Sequence, residues 1–205
     1  MTLYEIIQNL PDEKQRAAIK DYERCVMIAG PGSGKTYRLV LKVAYLLGQE
    51  VTYMQKIACV TYMNDAVREI EDRLSKYGFE DENRLFVGTV HKFCITSIIL
   101  PFKSIFLPDW PDYLRIADQD MQYDLLVQAL EALEMYVPVN ESERRKMLRD
   151  TLQAMKANRI TQLLNPRYII REDETKILNQ YLYFLRQDGY VDFDDIAIEA
   201  CRLVI

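Results

Sequence analysis

Several things are scarce in this chain of 205 residues. It has one histidine, one tryptophan, seven glycines, seven prolines and four cysteines. So few glycines and prolines exclude collagen-like and low-complexity classes. Cys25, Cys59, Cys94 and Cys201 lie 34, 35 and 107 residues apart. That spacing matches neither a disulfide framework nor a zinc site, and three of the four sit within or beside apolar segments, as buried thiols do. Cys201 stands one residue too far from the end for a prenylation box. No apolar run approaches the roughly 20 residues of a membrane span. Met1-Thr2-Leu3-Tyr4-Glu5 has neither the basic start nor the small-residue cleavage site of a signal peptide, so the expected location is cytoplasmic. There is no excess of positive charge: the net charge is −5, which gives no global attraction to nucleic acid. With 49% apolar and 28% charged residues the chain reads as a globular protein able to bury a full core.

What is present centres on Gly30-Pro31-Gly32-Ser33-Gly34-Lys35-Thr36, which fits the pattern GxxxxGK[ST]. In that pattern backbone N–H groups cradle phosphates, the lysine reaches the β- and γ-phosphates, and the hydroxyl takes Mg²⁺. Glycines let the loop adopt unusual dihedrals and let a ligand approach the backbone, while the following helix directs its positive end at the anion. The apolar run Cys25 to Ala29 predicts a strand before the loop, and Tyr37 to Leu47 a helix after it. A chance match has odds on the order of one in a hundred at ordinary glycine content. A nucleoside triphosphate with Mg²⁺ is therefore the expected ligand, held by Gly30, Pro31, Gly32, Ser33, Gly34, Lys35 and Thr36.

Along the chain, Pro11 and Asp12 signal a helix running to Tyr22. Ile57 to Thr61 and Leu85 to Thr89 are apolar runs of strand length. The first is followed by a helix with apolar residues at 66, 67, 70 and 74, capped by Asn64 or Thr61 and ended by Gly78; the second leads into a helix from Val90 to Leu100. Strand and helix thus alternate three times, which predicts a parallel α/β sheet with ligands at the carboxyl ends of the strands. After Pro101 no strand signal appears. Helices are expected from Met121, over Glu143 to Ala157, over Asp173 to Gln187, and over Asp194 to Val204. Between Glu141 and Arg171 the local charge is +5; from Glu172 onward it is −5. The basic stretch reads equally as a phosphate-contacting surface and as a solvated helix face.

Four segments in order give the chain a family likeness. Gln15-Arg16-Ala17-Ala18-Ile19 is similar to the Q motif of UvrD/Rep/PcrA-type superfamily 1 DNA helicases, whose glutamine reads the adenine edge. Leu10 sits one residue too far upstream for a clean match. Thr61-Tyr62-Met63-Asn64-Asp65-Ala66 resembles the family's TFTNKA segment, which contacts single-stranded DNA; Asp65 stands where the family has lysine. Gly88-Thr89-Val90-His91-Lys92-Phe93 resembles GTFHS, and Val191-Asp192-Phe193-Asp194-Asp195-Ile196 resembles DFDDL. These last carboxylates read as a helix start, favourable at the positive end of a helix dipole, and not as a metal site.

The resemblance implies a P-loop NTPase (RecA-like) parallel sheet of α/β class, incomplete, with an all-helical inserted subdomain. The divisions it suggests are 1–100 for the nucleotide-binding core, 101–189 for the helical insertion and 190–205 for a return towards the core. It implies an ATP-dependent helicase or translocase acting on single-stranded DNA, with duplex contact through the insertion, in which DNA repair is one family role. Lys35 and Thr36 would be catalytic and Gln15 would read adenine. Thr61, Tyr62, Asn64, Thr89 and His91 would touch DNA. The family's arginine directly after GKT is Tyr37 here, with Arg38 a residue off, so Tyr37 takes the place near the base and selectivity is either weaker or rebuilt. In the family, the acids that hold Mg²⁺ and the arginine that neutralises the transition state follow DFDDL. A remainder of the helicase is therefore expected beyond Ile205, with this chain alone binding ATP weakly and turning it over poorly. The alternative is a non-catalytic, nucleotide-responsive P-loop module. A small P-loop kinase fits worse, because it does not account for Gln15 and the Thr61 and Thr89 segments.

Overall fold

Asp12 shows how local chemistry starts the first unit. Its extended backbone and its carboxylate, which accepts from the Lys14 N–H at 2.9 Å, cap a helix and satisfy one of the orphan donors there. The computed structural model describes residues 3–21, 26–28, 30, 32–48, 56–79 and 83–204. The chain divides into two compact units, Met1–Phe93 and Cys94–Ile205.

In the first unit, α1 (Leu3–Gln8), α2 (Glu13–Lys20) and α3 (Lys35–Gly48) precede β1 (Ile57–Thr61), α4 (Asn64–Ser75), β2 (Leu85–Thr89) and the short α5 (Val90–Phe93). Val40, Val43, Ala44 and Leu47 recur at helical spacing on α3 and form one buried cluster with Cys59 of β1 and Ile70 and Leu74 of α4. Leu41 points another way, into a second cluster with Ile7 of α1 and Ile19 of α2. The helix after the glycine loop is thus held on two sides. β1 and β2 pair in parallel, from Ile57 beside Leu85 to Thr61 beside Thr89. Gly78, at φ +78°, turns the chain after α4 so that the Phe79 N–H returns to the Leu74 carbonyl at 3.2 Å.

Two expectations for this unit are corrected. Cys25 and Ala29 lie outside the described residues, but Val26, Met27 and Ile28 between them form no strand, and Val26 and Ile28 are 88% and 93% exposed. An apolar run expresses a preference for burial; it becomes a strand only where a ladder partner is offered, and β1 pairs with β2 alone among the described residues. Nor do Asn64 or Thr61 cap α4: Met63 occupies that position without a side-chain hydrogen bond.

The second unit opens with a π-helical turn, Cys94–Ile99, followed by α6 (Leu100–Phe106). Helical backbone continues past Leu100 because Pro101 falls in the first turn of α6, where its missing N–H costs nothing. β3 (Arg115–Ile116), α7 (Gln119–Ala132), α8 (Glu141–Leu164), α9 (Glu172–Gln187), β4 (Tyr190–Val191) and α10 (Phe193–Val204) complete it. Asp118 caps α7 and Asn140 caps α8 through their side chains. The core joins Leu125, Leu126, Ala129 and Leu130 of α7 to Leu148 and Met155 of α8 and Ile177, Tyr181 and Leu185 of α9.

The span 101–189 is not all-helical. Arg115 and Ile116 pair in parallel with Tyr190 and Val191, extended by an Ala117 N–H to Val191 carbonyl bond of 2.9 Å. Two residues are too few to show a period of two, so the sequence carries no sign of this ladder. The described residues form a mixed α/β chain with two small parallel sheets among them. Among the described residues no helix is long and apolar enough to cross a membrane.

Candidate functional site

The glycine loop feeds directly into the first turn of α3, which begins at Lys35. Gly32 and Gly34 have φ of +72° and +77°, a region open to glycine and costly to other residues. A Cβ added at Gly30 or Gly32 would meet nothing within 4 Å, so the backbone there is open. The Ser33 hydroxyl and the Lys35 ammonium each donate to the Gly30 carbonyl at 2.7 Å, closing the loop on itself. Thr36, half-buried, stands next in the same turn. Pro31 lies outside the described residues. Exposed backbone, a lysine and a hydroxyl at the amino end of a 14-residue helix fit a polyphosphate, whose negative charge the helix dipole favours. Among the described residues no cluster of three or more His, Cys, Asp or Glu side chains is arranged to hold a metal ion.

Gln15 is tied to this loop by Arg38, the arginine that the motif comparison left one position off. One turn into α3, Arg38 donates from Nε to Gln15 Oε1 at 2.8 Å and from Nη1 to the Ser33 carbonyl. It thereby links α2, the loop and α3. The available signal was its spacing: four residues after Gly34, it stands directly above the loop on the helix. Tyr37 turns the other way. It packs, half-buried, on the cluster of Ile7, Ile19 and Leu41, and its hydroxyl is hydrogen-bonded to that of Tyr77. Burial and this bond push the Tyr77 phenol up to about 12.

The DNA-contact candidates cluster at the carboxyl ends of the two strands. Thr61 ends β1 and Thr89 ends β2, side by side in register. Tyr62 is 84% exposed immediately after Thr61, and Asn64 opens α4, also exposed. The Thr89 hydroxyl accepts the Lys92 N–H at 3.2 Å, so it caps the turn that carries the half-buried His91. Asp65 is paired with Arg68 at 3.8 Å, both well exposed.

In the second unit the carboxylates of the 191–196 segment form a helix start, as their position suggested, but two of them are buried. Asp192 Oδ1 accepts the Asp195 N–H at 2.7 Å, and its Oδ2 accepts the Tyr181 hydroxyl at 3.0 Å. Asp195, fully buried, receives Arg159 at 2.6 Å and Arg186 at 2.5 Å. Burial, with Asp195 nearby, raises the Asp192 carboxyl above the ordinary range, and burial beside Asp192 raises the Tyr181 phenol. The Arg159 guanidinium is opposed by burial but held charged by Asp195, Asp192 and Glu199. Sequence reading placed Arg159 on a basic surface; the fold turns it inward. Other cations of that stretch also have acidic partners: Arg145 with Glu141, Arg149 with Asp150, Lys156 with Asp194, and Arg171 with Asp173.

Comparison with known proteins adds a family. The family model described as UvrD/REP helicase N-terminal domain matches residues 11–205. The chain is similar to a probable DNA helicase II homologue of Mycoplasma capricolum, at 27% identity over 95% of the chain and 27% of the relative. It is also similar to the ATP-dependent DNA helicase PcrA of Leuconostoc citreum, at 26% identity over 95% of the chain and 26% of the relative. With the Gabija protein GajB of Bacillus cereus it shares 38% identity over 57% of the chain and 23% of that protein. The chain thus spans about a quarter of the length of these curated relatives.

Proposed function

The chain belongs to the family of UvrD/REP helicase N-terminal domains, and from that premise we propose that it is the ATP-binding amino-terminal part of an ATP-dependent DNA helicase or translocase acting on single-stranded DNA. The observation that carries this reading is the convergence of the open glycine loop, Lys35, Thr36 and Gln15 at the amino end of α3. The loop N–H groups and the Lys35 ammonium hold the phosphates, and Gln15 reads the base. Thr36 supplies its hydroxyl to Mg²⁺. ATP with Mg²⁺ supplies the free energy of phosphoryl transfer when bound. The division of the chain into a nucleotide core over 1–100, a helical insertion over 101–189 and a return over 190–205 belongs to the same proposal, as does a cytoplasmic location.

Single-stranded DNA lies on this reading across the ends of β1 and β2. Tyr62 offers an exposed ring for a base, while Thr61, Asn64, Thr89 and His91 offer polar contacts to the backbone. Arg68 offsets the charge of Asp65 on the same face, so a phosphate there meets a near-neutral pair. A titration with a fluorescent ATP analogue tests the nucleotide half. Saturable, Mg²⁺-dependent binding that Lys35→Ala abolishes is expected; equal binding by Lys35→Ala overturns it.

A further inference from the structure

Resting on the nucleotide reading, the geometry points to Arg38 as a positioning residue that makes this site select adenine over guanine. An arginine guanidinium carries only donors, so the atom of Gln15 facing it at 2.8 Å is the carbonyl oxygen Oε1. The amide orientation is thereby decided chemically. Turned through 180°, Gln15 would put its NH₂ against the Arg38 N–H, donor against donor.

The consequence lies on the far side of the amide. With Oε1 held, Nε2 is turned away from Arg38 as a donor and Oε1 keeps one lone pair. Donor beside acceptor complements N7 and the N6 amino group of adenine. Guanine presents N7 and O6, two acceptors, so its O6 meets the Oε1 lone pair without a proton between them. A glutamine not held by Oε1 can shift so that its NH₂ alone spans N7 and O6 of guanine, which lowers the discrimination. The same guanidinium also donates to the Ser33 carbonyl, so the base reader is tied to the phosphate loop through one side chain. Arg38 sits one helical turn from Gly34, with its backbone N–H on the Gly34 carbonyl at 3.1 Å, and a rigid helix therefore sets its reach.

The test measures dissociation constants of the chain for ATP, GTP and ITP, in wild type and in Arg38→Met, with far-UV circular dichroism to check the fold. All three purine triphosphates load the same phosphate loop, so the ratios of their constants isolate base reading even where loop affinity changes. Wild type is expected to prefer ATP over GTP and over ITP by roughly tenfold, the worth of one bidentate purine contact. ITP should behave as GTP because it shares O6. In Arg38→Met the ratio should fall to within about threefold of unity, and Arg38→Lys, which keeps a donor, should recover part of it. An ATP preference unchanged in Arg38→Met overturns this inference and leaves the nucleotide reading intact, as does ITP binding as tightly as ATP. Absence of ATP binding by the wild-type chain removes the nucleotide reading and this inference with it. Should Arg38→Met fail to fold, Arg38→Lys decides: a ratio between unity and the wild-type value supports the pinning role, and a ratio unchanged from wild type overturns it.

Discussion

Arg159 and Asp195 lie 36 residues apart in sequence, yet meet at 2.6 Å with almost no exposure to water. Arg186 reaches the other oxygen of the same carboxylate at 2.5 Å. One acid on α10 thus pairs with two cations, from α8 and α9, and joins three helices of the second unit. A buried pair of this kind is a weak source of net stability, but removing one member leaves an uncompensated charge.

Asp195→Ala should therefore destabilise the second unit by about 3–5 kcal/mol. Urea denaturation followed by near-UV circular dichroism would measure it. A loss below about 1 kcal/mol would mean that water or Glu199, 3.6 Å from Arg159, takes over the pairing.

Asp192 makes stability depend on pH in an unusual direction for a carboxylate. Burial and Asp195 raise its folded pKa, so the folded state holds the proton more tightly than the unfolded chain does. Its favourable contribution is full below the unfolded value, about 3.9, and is lost as pH rises through the folded value. Asp192→Asn, neutral at every pH, should gain on wild type from pH 4 upwards and then hold a constant lead. Urea midpoints measured for both proteins across that range would show a widening gap; a gap that narrows with rising pH would contradict the assignment.

Gly34 and Gly30 should separate cleanly. An alanine at Gly34 would adopt φ +77° and place its methyl 2.9 Å from Arg38 Nη1, whereas at Gly30 it would meet nothing within 4 Å. Gly34→Ala is expected to cost about 1–2 kcal/mol in thermal or chemical unfolding and Gly30→Ala less than about 0.5 kcal/mol. Equal effects would show that the loop relaxes around the added methyl.

Tyr62→Ala should weaken binding of a fluorescent oligo(dT) by about 1–3 kcal/mol, the worth of one stacked base, without altering the melting of the chain. Its ring is 84% exposed, so folding gains little from it. Anisotropy titration gives the first number and a thermal melt the second; a shifted melt with unchanged DNA affinity would place Tyr62 in the structure instead of on the DNA.

The sequence by itself determined the glycine loop and the helix it feeds, the strands ending in Thr61 and Thr89, and helices α7 to α10 of the second unit. Each is written in local chemistry: positive-φ glycines, caps such as Asp12, Asp118 and Asn140, and apolar residues at a steady period. Tertiary structure alone decided where charges went. Arg159 belongs to a basic stretch on paper and to a sealed ion pair in the fold, because a helix of 24 residues has an inner face as well as an outer one. It also decided that Arg38, next to the position the motif singles out, meets Gln15, while Tyr37 turns to Tyr77. Successive helical residues point about 100° apart, so a shift of one position moves a side chain from the core to the side that faces the glycine loop.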